Sequence, residues 1–140
     1  MSFLLGLIYA SFVEWFVHKY LFHGLGKKKN SIFAYHIRQH HKTCCQNENR
    51  DEKISKRETF GVLFLLVLNA PVYFLSPMFF YAVSLYGIAF IVVHNIVHKN
   101  VALGKKLFPW HWDHHMRFQN HNMNVVLPIA DYILKTRKKT

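Results

Sequence analysis

Histidines are grouped in four short clusters along this chain of 140 residues. Ten of the 11 histidines fall in these clusters, each of which spans five or six residues. Neutral imidazole is the common side-chain ligand for iron, zinc and copper. Ten imidazoles exceed what one ion accepts, because zinc takes about four ligands and iron up to about six. The pattern therefore predicts two metal ions, and the clusters are His18/His23, His36/His40/His41, His94/His98 and His111/His114/His115.

Two of the clusters have the spacing of one face of an α-helix. Residues separated by three or four positions lie on the same side of a helix, so their side chains point into the same space. Pro109 suits the first turn of a helix that carries the last cluster. These helices are expected to offer several nitrogens to a shared cavity through His94, His98, His111, His114 and His115.

The other two clusters fit an α-helix less simply. His36 and His40 are expected on one face, with His41 turned further round toward a neighbouring metal ion. His18 and His23 are five residues apart, a spacing that an α-helix does not align. They follow an apolar segment, at whose end the helix is expected to loosen.

Carboxylates are too few here to act as the main ligands. The chain has seven acidic residues, whereas four-helix di-iron proteins use several inward glutamates. Glu14 lies one turn before a histidine and Asp113 lies inside the last cluster, so either could accept a hydrogen bond from the outer nitrogen of a ligand. The alternatives are a charge at the membrane interface for Glu14 and a solvated position for Asp113. His121 is expected either to support the site or to lie in a polar turn, and no catalytic residue beyond the metal ligands is predicted.

The remaining polar side chains around the clusters have no predicted role. Cys44 and Cys45 are expected to be reduced and incidental to the site. Residues 46–56 are predicted to form a loop. Four acidic residues lie in this loop or at the start of the following helix: Glu48, Asp51, Glu52 and Glu58.

Long apolar stretches indicate a membrane protein. Residues 59–98 contain no Asp, Glu, Lys or Arg, and 40 residues of helix extend about 60 Å, twice the thickness of a bilayer core. Pro71 and Pro77 lie near the middle, where a helical hairpin needs a turn. A soluble protein with an ordinary core is the alternative, but so small a domain would have difficulty burying this stretch. The predicted spans are residues 2–17, 59–75 and 78–97.

Basic residues are segregated to one side of these spans. All 18 Lys and Arg residues lie within residues 19–57 and 99–139, so the positive-inside rule predicts an external N-terminus and histidine clusters on the cytoplasmic face. Attraction to anionic lipid headgroups explains the net charge of +11 more simply than nucleic-acid binding. Residues 125–134 are expected to lie against the membrane surface.

The four motifs in this order resemble the fatty acid hydroxylase superfamily, which includes sterol desaturases and carotenoid hydroxylases. The resemblance runs from His18 to about residue 136, and the second motif departs from many members in having three residues, not two, before its paired histidines. The motifs are HKYLFH, HIRQHH, HNIVH and HWDHH.

The resemblance implies a single all-α, integral membrane domain over residues 1–140, capped by cytoplasmic helices that carry a histidine-rich dimetal site. It implies an O2-dependent, monooxygenase-type enzyme that hydroxylates or desaturates a lipid C–H position with two iron ions, or zinc in the isolated protein. Three spans are expected where four are more common. The expected membrane is the endoplasmic reticulum in a eukaryotic host and the inner membrane in a bacterial one. The implied ligands are His18, His23, His36, His40, His41, His94, His98, His111, His114 and His115.

Electrons are expected to come from a cytochrome b5-like or ferredoxin-type donor with its reductase, since the chain contains no fused donor domain. Sterol desaturase-type and carotenoid hydroxylase-type activities are alternatives that share the same motifs. A rival from another class is a membrane metal-binding or transport protein. Transport favours ligands near the bilayer midplane, whereas these clusters lie at or beyond the ends of the predicted spans.

Overall fold

Helices form all the regular secondary structure in residues 1–52 and 56–139, which are the residues that the computed structural model describes. The all-α prediction is confirmed for this part of the chain. The predicted loop 46–56 includes residues 53–55, which lie outside the described part of the chain. The α-helices are α1 (Ser2–Phe16), α2 (Lys42–Gln46), α3 (Lys56–Asn69), α4 (Val72–Leu75), α5 (Pro77–Lys99), α6 (Val101–Leu107), α7 (Pro109–Met116) and α8 (Ile129–Ile133), with π-helical segments at Val17–Gly24 and His36–His41 and a 3-10 turn at Leu25–Lys27.

Helices α1 and α5 form the central pair of the fold. They approach most closely at Gly6, where an added Cβ atom would lie 2.7 Å from the Cβ of Ala82 and 2.7 Å from the carbonyl oxygen of Phe79. One turn later the rings of Tyr9 and Phe79 pack with centroids 5.4 Å apart. The absence of a side chain at Gly6 therefore sets how closely the two helices can pack.

A methyl group at Gly6 is expected to destabilise the protein. Gly6→Ala forces α1 away from α5, and overpacking of this kind costs about 1–3 kcal/mol. Gly61→Ala is the matched control, because a Cβ at Gly61 meets nothing within 4 Å and gains the helix propensity of alanine, about 1 kcal/mol. Thermal unfolding of both variants in detergent measures the difference. A Gly6→Ala protein as stable as Gly61→Ala would contradict the close packing.

Helices α3 and α5 run antiparallel, as a hairpin requires. Glu58 at the start of α3 contacts His94 near the end of α5, and a Cβ at Gly87 would lie 3.0 Å from Val62. The predicted span 59–75 is divided, however, because α3 ends at Asn69 and α4 is a separate short helix. Pro71 between them has no N–H for a continuous helix and its ring clashes with the preceding turn. Within the described residues, α5 alone is long and apolar enough to cross a membrane as a single helix.

The hairpin exposes a large apolar surface. Phe60, Phe64 and Val67 of α3 and Phe74 and Leu75 of α4 are all more than 60% exposed. Contiguous apolar patches of this kind mark contacts with membranes or other proteins. This surface favours a lipid environment over the alternative of an ordinary soluble core.

The C-terminal segment packs into the helical bundle on one side, while Leu127, Tyr132, Ile133 and Leu134 remain exposed, so contact of residues 125–134 with a membrane surface stays a prediction. Val125, Ala130 and Asp131 are fully buried. The Ser11 hydroxyl of α1 donates to the Leu127 carbonyl at 2.9 Å and accepts from the Ala130 N–H at 3.1 Å. Hydrophobicity alone could not reveal this, because the polar partners that hold the segment lie more than 100 residues away.

Candidate metal centre

Two π-helical segments position the first two histidine clusters. Hydrogen bonds in a π-helix run between residues five apart, so residues at that spacing share a face, and such segments are rare outside functional sites. His18 and His23 lie in Val17–Gly24, where the spacing that an α-helix cannot align becomes the correct one. His36 and His41 are paired in the same way in His36–His41. The sequence predicted His41 as the residue turned toward a neighbouring metal ion, whereas His36 and His41 share one set of potential ligands and His40 belongs to another.

The other two clusters lie on ordinary helices, as predicted. His94 and His98 occupy the last turns of α5. Helix α6 then returns the chain, and α7 begins at Pro109 and carries the last three histidines. The predicted shared cavity holds for His94, His98, His111 and His115, whereas His114 lies with the histidines of the π-helical segments.

The structure brings all ten predicted ligands together in one buried site. They divide into two groups of five. The first group is one set of potential ligands and the second combines two overlapping sets, and within each set the ligand atoms lie no more than 4.8 Å apart. Ring stacking of His41 on His115, with centroids 4.2 Å apart, joins the groups. Cluster A is His18, His23, His36, His41 and His114; cluster B is His40, His94, His98, His111 and His115, which form two overlapping sets, His40/Cys44/His98/His115 and His94/His98/His111/His115.

Neighbouring histidines serve different clusters. His40 belongs to cluster B and His41 to cluster A, while His114 belongs to cluster A and His115 to cluster B. Adjacent residues on a helix point about 100° apart, so each pair reaches to both sides of its helix. These two helices therefore run between the clusters and form their common wall.

Main-chain carbonyls hold three of the rings from outside. The Nδ1 atoms of His18, His98 and His114 lie 2.5 Å from the carbonyl of Met123, 2.9 Å from that of Asn49 and 2.7 Å from that of His121, respectively. A carbonyl oxygen only accepts, so Nδ1 must carry the ring proton and Nε2 must carry the lone pair. These contacts leave Nε2 of each ring ready to bind a cation.

Carboxylates hold three further rings. The Nδ1 atom of His40 lies 3.0 Å from Asp51. Glu58 contacts both clusters: Oε1 lies 3.3 Å from Nδ1 of His36 in cluster A, and Oε2 lies 2.9 Å from Nδ1 of His94 in cluster B. Glu58 is only 4% exposed. One buried carboxylate therefore orients a histidine of each cluster.

The inward nitrogens fit metal ions. Nε2 of His18 lies 3.0 Å from Nε2 of His36, and both rings carry their proton on Nδ1, so two lone pairs face each other. This arrangement is repulsive unless a cation lies beside them. In residues 1–52 and 56–139, Nε2 of His40 and both nitrogens of His115 are also buried without a hydrogen-bond partner.

Burial keeps five of the ligand histidines neutral. Burial, and then the proximity of other imidazoles, lowers the pKa of His36, His41, His111 and His115 well below the usual value of 6.5. Burial also lowers the pKa of His114, and neighbouring histidines lower this pKa further. Metal ligation requires the unprotonated ring, so these five rings are in the correct charge state at neutral pH.

Glu14, predicted to support a ligand, lies at the junction of three segments. Its carboxylate accepts hydrogen bonds from the Tyr86 hydroxyl at 2.5 Å, the Asn124 side-chain amide at 3.0 Å and the Val125 N–H at 2.6 Å. These contacts tie α1 to α5 and to the C-terminal segment. Support of a ligand by Glu14 stays a prediction.

The other two predicted supports lie beside α7. Asp113 is buried and forms an ion pair with Arg117 at 3.6 Å. His121 contacts the site through its main-chain carbonyl, which accepts from Nδ1 of His114. His121 therefore supports His114 through its main-chain carbonyl and not through its imidazole.

Sequence reasoning missed Glu58 and misjudged Cys44. Both cysteines are free thiols, as predicted, but Cys44 is fully buried and its sulfur lies 3.5 Å from Nδ1 of His98 and 3.9 Å from Nδ1 of His40. Burial raises the pKa of the Cys44 thiol, which keeps it protonated. Its position four residues after His40 was an available helical signal. The sequence contained no signal for the role of Glu58, because its partners His36 and His94 lie on other segments.

The helical fold and the two joined clusters of buried histidines are typical of metal-binding proteins that carry histidine motifs on several helices. The family model for fatty acid hydroxylase matches residues 3–136, and the chain belongs to the fatty acid hydroxylase family. Membership implies a lipid hydroxylase- or desaturase-type oxidoreductase. No curated protein and no solved structure matches the chain significantly.

Proposed function

We propose that this protein is a membrane-bound, O2-dependent oxidoreductase that hydroxylates a lipid C–H position, with desaturation or a sterol- or carotenoid-type reaction as the alternative. Two iron ions held by the ten histidines would activate O2. Hydroxylation consumes one C–H group, one O2, two electrons and two protons, and yields an alcohol and water. The observation that carries the proposal is the division of ten buried histidines into two joined clusters of five.

The protein contributes position and a dry environment. Carbonyl and carboxylate acceptors fix six rings through Nδ1 and direct Nε2 inward. All ten rings are buried, so bulk water does not compete for the ligand positions. Rigid support of this kind keeps a ligand set at the distances that a metal site requires.

A cavity beside cluster A supports a lipid substrate. It has a volume of about 970 Å³ and lies between α1, α3 and α5. Leu21, Leu65 and Phe90 are among its apolar lining residues, and His18 and Glu58 line it as well. An aliphatic chain in this cavity would lie next to a ligand of cluster A and to the carboxylate that supports both clusters.

The membrane arrangement belongs to the same proposal. We propose three crossings, by α1, by α3 with α4, and by α5, with the histidines on the cytoplasmic side. The exposed apolar side chains of the hairpin support it, as does the confinement of all 18 basic residues to residues 19–57 and 99–139, outside the uncharged parts of these helices. A cytochrome b5-like or ferredoxin-type donor with its reductase would then deliver electrons at the cytoplasmic face, which belongs to the endoplasmic reticulum in a eukaryote or the inner membrane in a bacterium.

Expression in a lipid-producing host, followed by comparative lipid mass spectrometry, tests the activity. We expect a lipid that is heavier by one oxygen, or lighter by two hydrogens, and that disappears in a His40→Ala/His41→Ala variant, which removes one ligand from each cluster. Metal analysis of the purified protein is the companion measurement. Fully metal-loaded protein that forms no product when a donor and its reductase are supplied would contradict the proposal. Metal flux into vesicles without O2-dependent product would favour transport instead.

A further inference from the structure

The cavity beside cluster A has basic and polar residues in an otherwise largely apolar wall. Lys29 and Arg57 line it, together with Asn30 and Ser31. The lining continues along α3 as far as Asn69. The residues of α3 from Arg57 to Asn69 extend about 18 Å at 1.5 Å per residue, which suits an extended aliphatic chain.

The two cations are available to a ligand. Within the described residues, neither Lys29 nor Arg57 takes part in an ion pair, and the Arg57 guanidinium lies 5.0 Å from the centroid of the Tyr35 ring. The two carboxylates in the same wall are already engaged, Glu14 by three hydrogen-bond donors and Glu58 by two histidines. The Lys29 and Arg57 cations are therefore the charged groups of the cavity wall that remain available to a ligand.

We infer that the cavity selects a lipid that carries an anionic group, a carboxylate or a phosphate, bound by Lys29 and Arg57. Its aliphatic chain lies between α1, α3 and α5. This inference rests on the proposed function, since it names the class of lipid presented to cluster A. Arg57 immediately precedes Glu58 on α3, so the residue that binds the anionic group is covalently adjacent to the residue that orients both clusters.

Gly61 provides an independent way to block the cavity. It lines the wall one turn after Arg57, and an added Cβ atom meets nothing within 4 Å. A leucine at this position would therefore extend into the space of the aliphatic chain without a clash at its Cβ. Leu63→Phe is the matched control, because Leu63 is exposed on the same helix and does not line the cavity.

Three ligands with one oleoyl-length chain test the inference: oleate, oleoyl lysophosphatidate and oleyl alcohol. Binding of each tritiated ligand to metal-loaded, full-length protein is measured in a neutral detergent, at a pH that ionises the carboxylate. Arg57→Gln and Lys29→Gln are each expected to weaken binding of an anionic ligand about fivefold, the effect of losing about 1 kcal/mol per basic residue. Neither should change binding of the alcohol. Lys28→Gln, an exposed neighbour that does not line the cavity, should change none of the three.

Gly61→Leu is expected to weaken all three ligands, and Leu63→Phe none. If Arg57→Gln weakens binding of oleate alone, or of oleoyl lysophosphatidate alone, the result supports the inference and identifies the anionic group. Equal affinities for the alcohol and both anions would overturn it, as would equal effects of Lys28→Gln and Arg57→Gln. Anion binding that survives Gly61→Leu would also overturn it, because the anion would then bind outside the cavity.

Metal content and product formation separate this inference from the proposed function. If Arg57→Gln oxidises neutral and anionic lipids at the wild-type rate, the inference fails while the oxidoreductase proposal stands. If the protein binds anionic lipids as described but forms no O2-dependent product with metals and donor supplied, the oxidoreductase proposal fails while the binding site stands.

Discussion

Replacing His114 by alanine is expected to remove most of the metal from cluster A and at least about 10²-fold of the activity, since loss even of an outer support costs 10- to 100-fold. The Nε2 atom of His114 lies 3.1 Å from Nε2 of His23, inside cluster A. His115 is its neighbour in sequence but belongs to cluster B. Metal analysis should therefore find about one ion in His114→Ala and about one in His115→Ala, from different positions, if each cluster holds one ion.

Double variants distinguish two clusters from one mixed pool of ligands. His41 and His114 both belong to cluster A, so His41→Ala combined with His114→Ala should leave about one ion, as either single variant does. His41→Ala combined with His115→Ala damages both clusters and should leave almost none. Full activity after loss of His114 or His115 would contradict the proposed site. Equal metal loss in the two double variants would contradict the division into clusters.

Replacing Glu58 by alanine is expected to weaken both metal positions by about 10- to 100-fold. The reason is geometric, because each carboxylate oxygen accepts from Nδ1 of a histidine in a different cluster. Glutamine has one accepting oxygen in place of two, so Glu58→Gln can satisfy His36 or His94 but not both. We therefore expect the alanine variant to affect both positions and the glutamine variant to affect mainly one.

Cobalt substitution reads out this prediction independently of turnover. Visible spectra of Co(II) in each variant report ligand geometry, and competition with a chelator reports affinity. Glu52→Gln is the control, because Glu52 is an exposed acid whose recorded contact is a weak pair with Arg50 at 3.9 Å. Unchanged spectra and affinities in Glu58→Ala would show that this carboxylate does not position the ligands.

The ten-histidine set illustrates what spacing can and cannot predict. Intervals of four residues correctly placed His94 with His98 and His111 with His115, because an undistorted α-helix has a fixed period, but His114 lies in the other cluster. The same rule aligned no face for His18 and His23, and it placed His41 rather than His40 toward a second metal ion, whereas His36 and His41 share cluster A. The i to i+5 hydrogen bonds of a π-helix depend on the packing around the segment, which the chain's local pattern does not display.

Long-range partners were the other feature that could not be predicted. Asp131 is fully buried, and its carboxylate accepts from the N–H groups of Met123 and Asn124 at 3.0 and 2.8 Å. Together with Ser11 and Glu14, these contacts pull residues 125–134 into the bundle. The apolar composition of that segment does not show which of its side chains are buried, so only the tertiary contacts distinguish the buried Val125 and Ala130 from the exposed Tyr132 and Ile133.

The amino-acid sequence by itself determined the chemistry of this protein: ten imidazoles, few carboxylates and a long uncharged stretch predict a histidine-ligated metal site in an all-α protein beside a membrane. Only the tertiary structure decided which histidines share a cluster and that Glu58 joins the clusters. The physical reason is that residue type and local spacing set which atoms can bind a metal. The side of the site that each atom faces depends instead on helix distortion and on contacts between segments far apart in the chain.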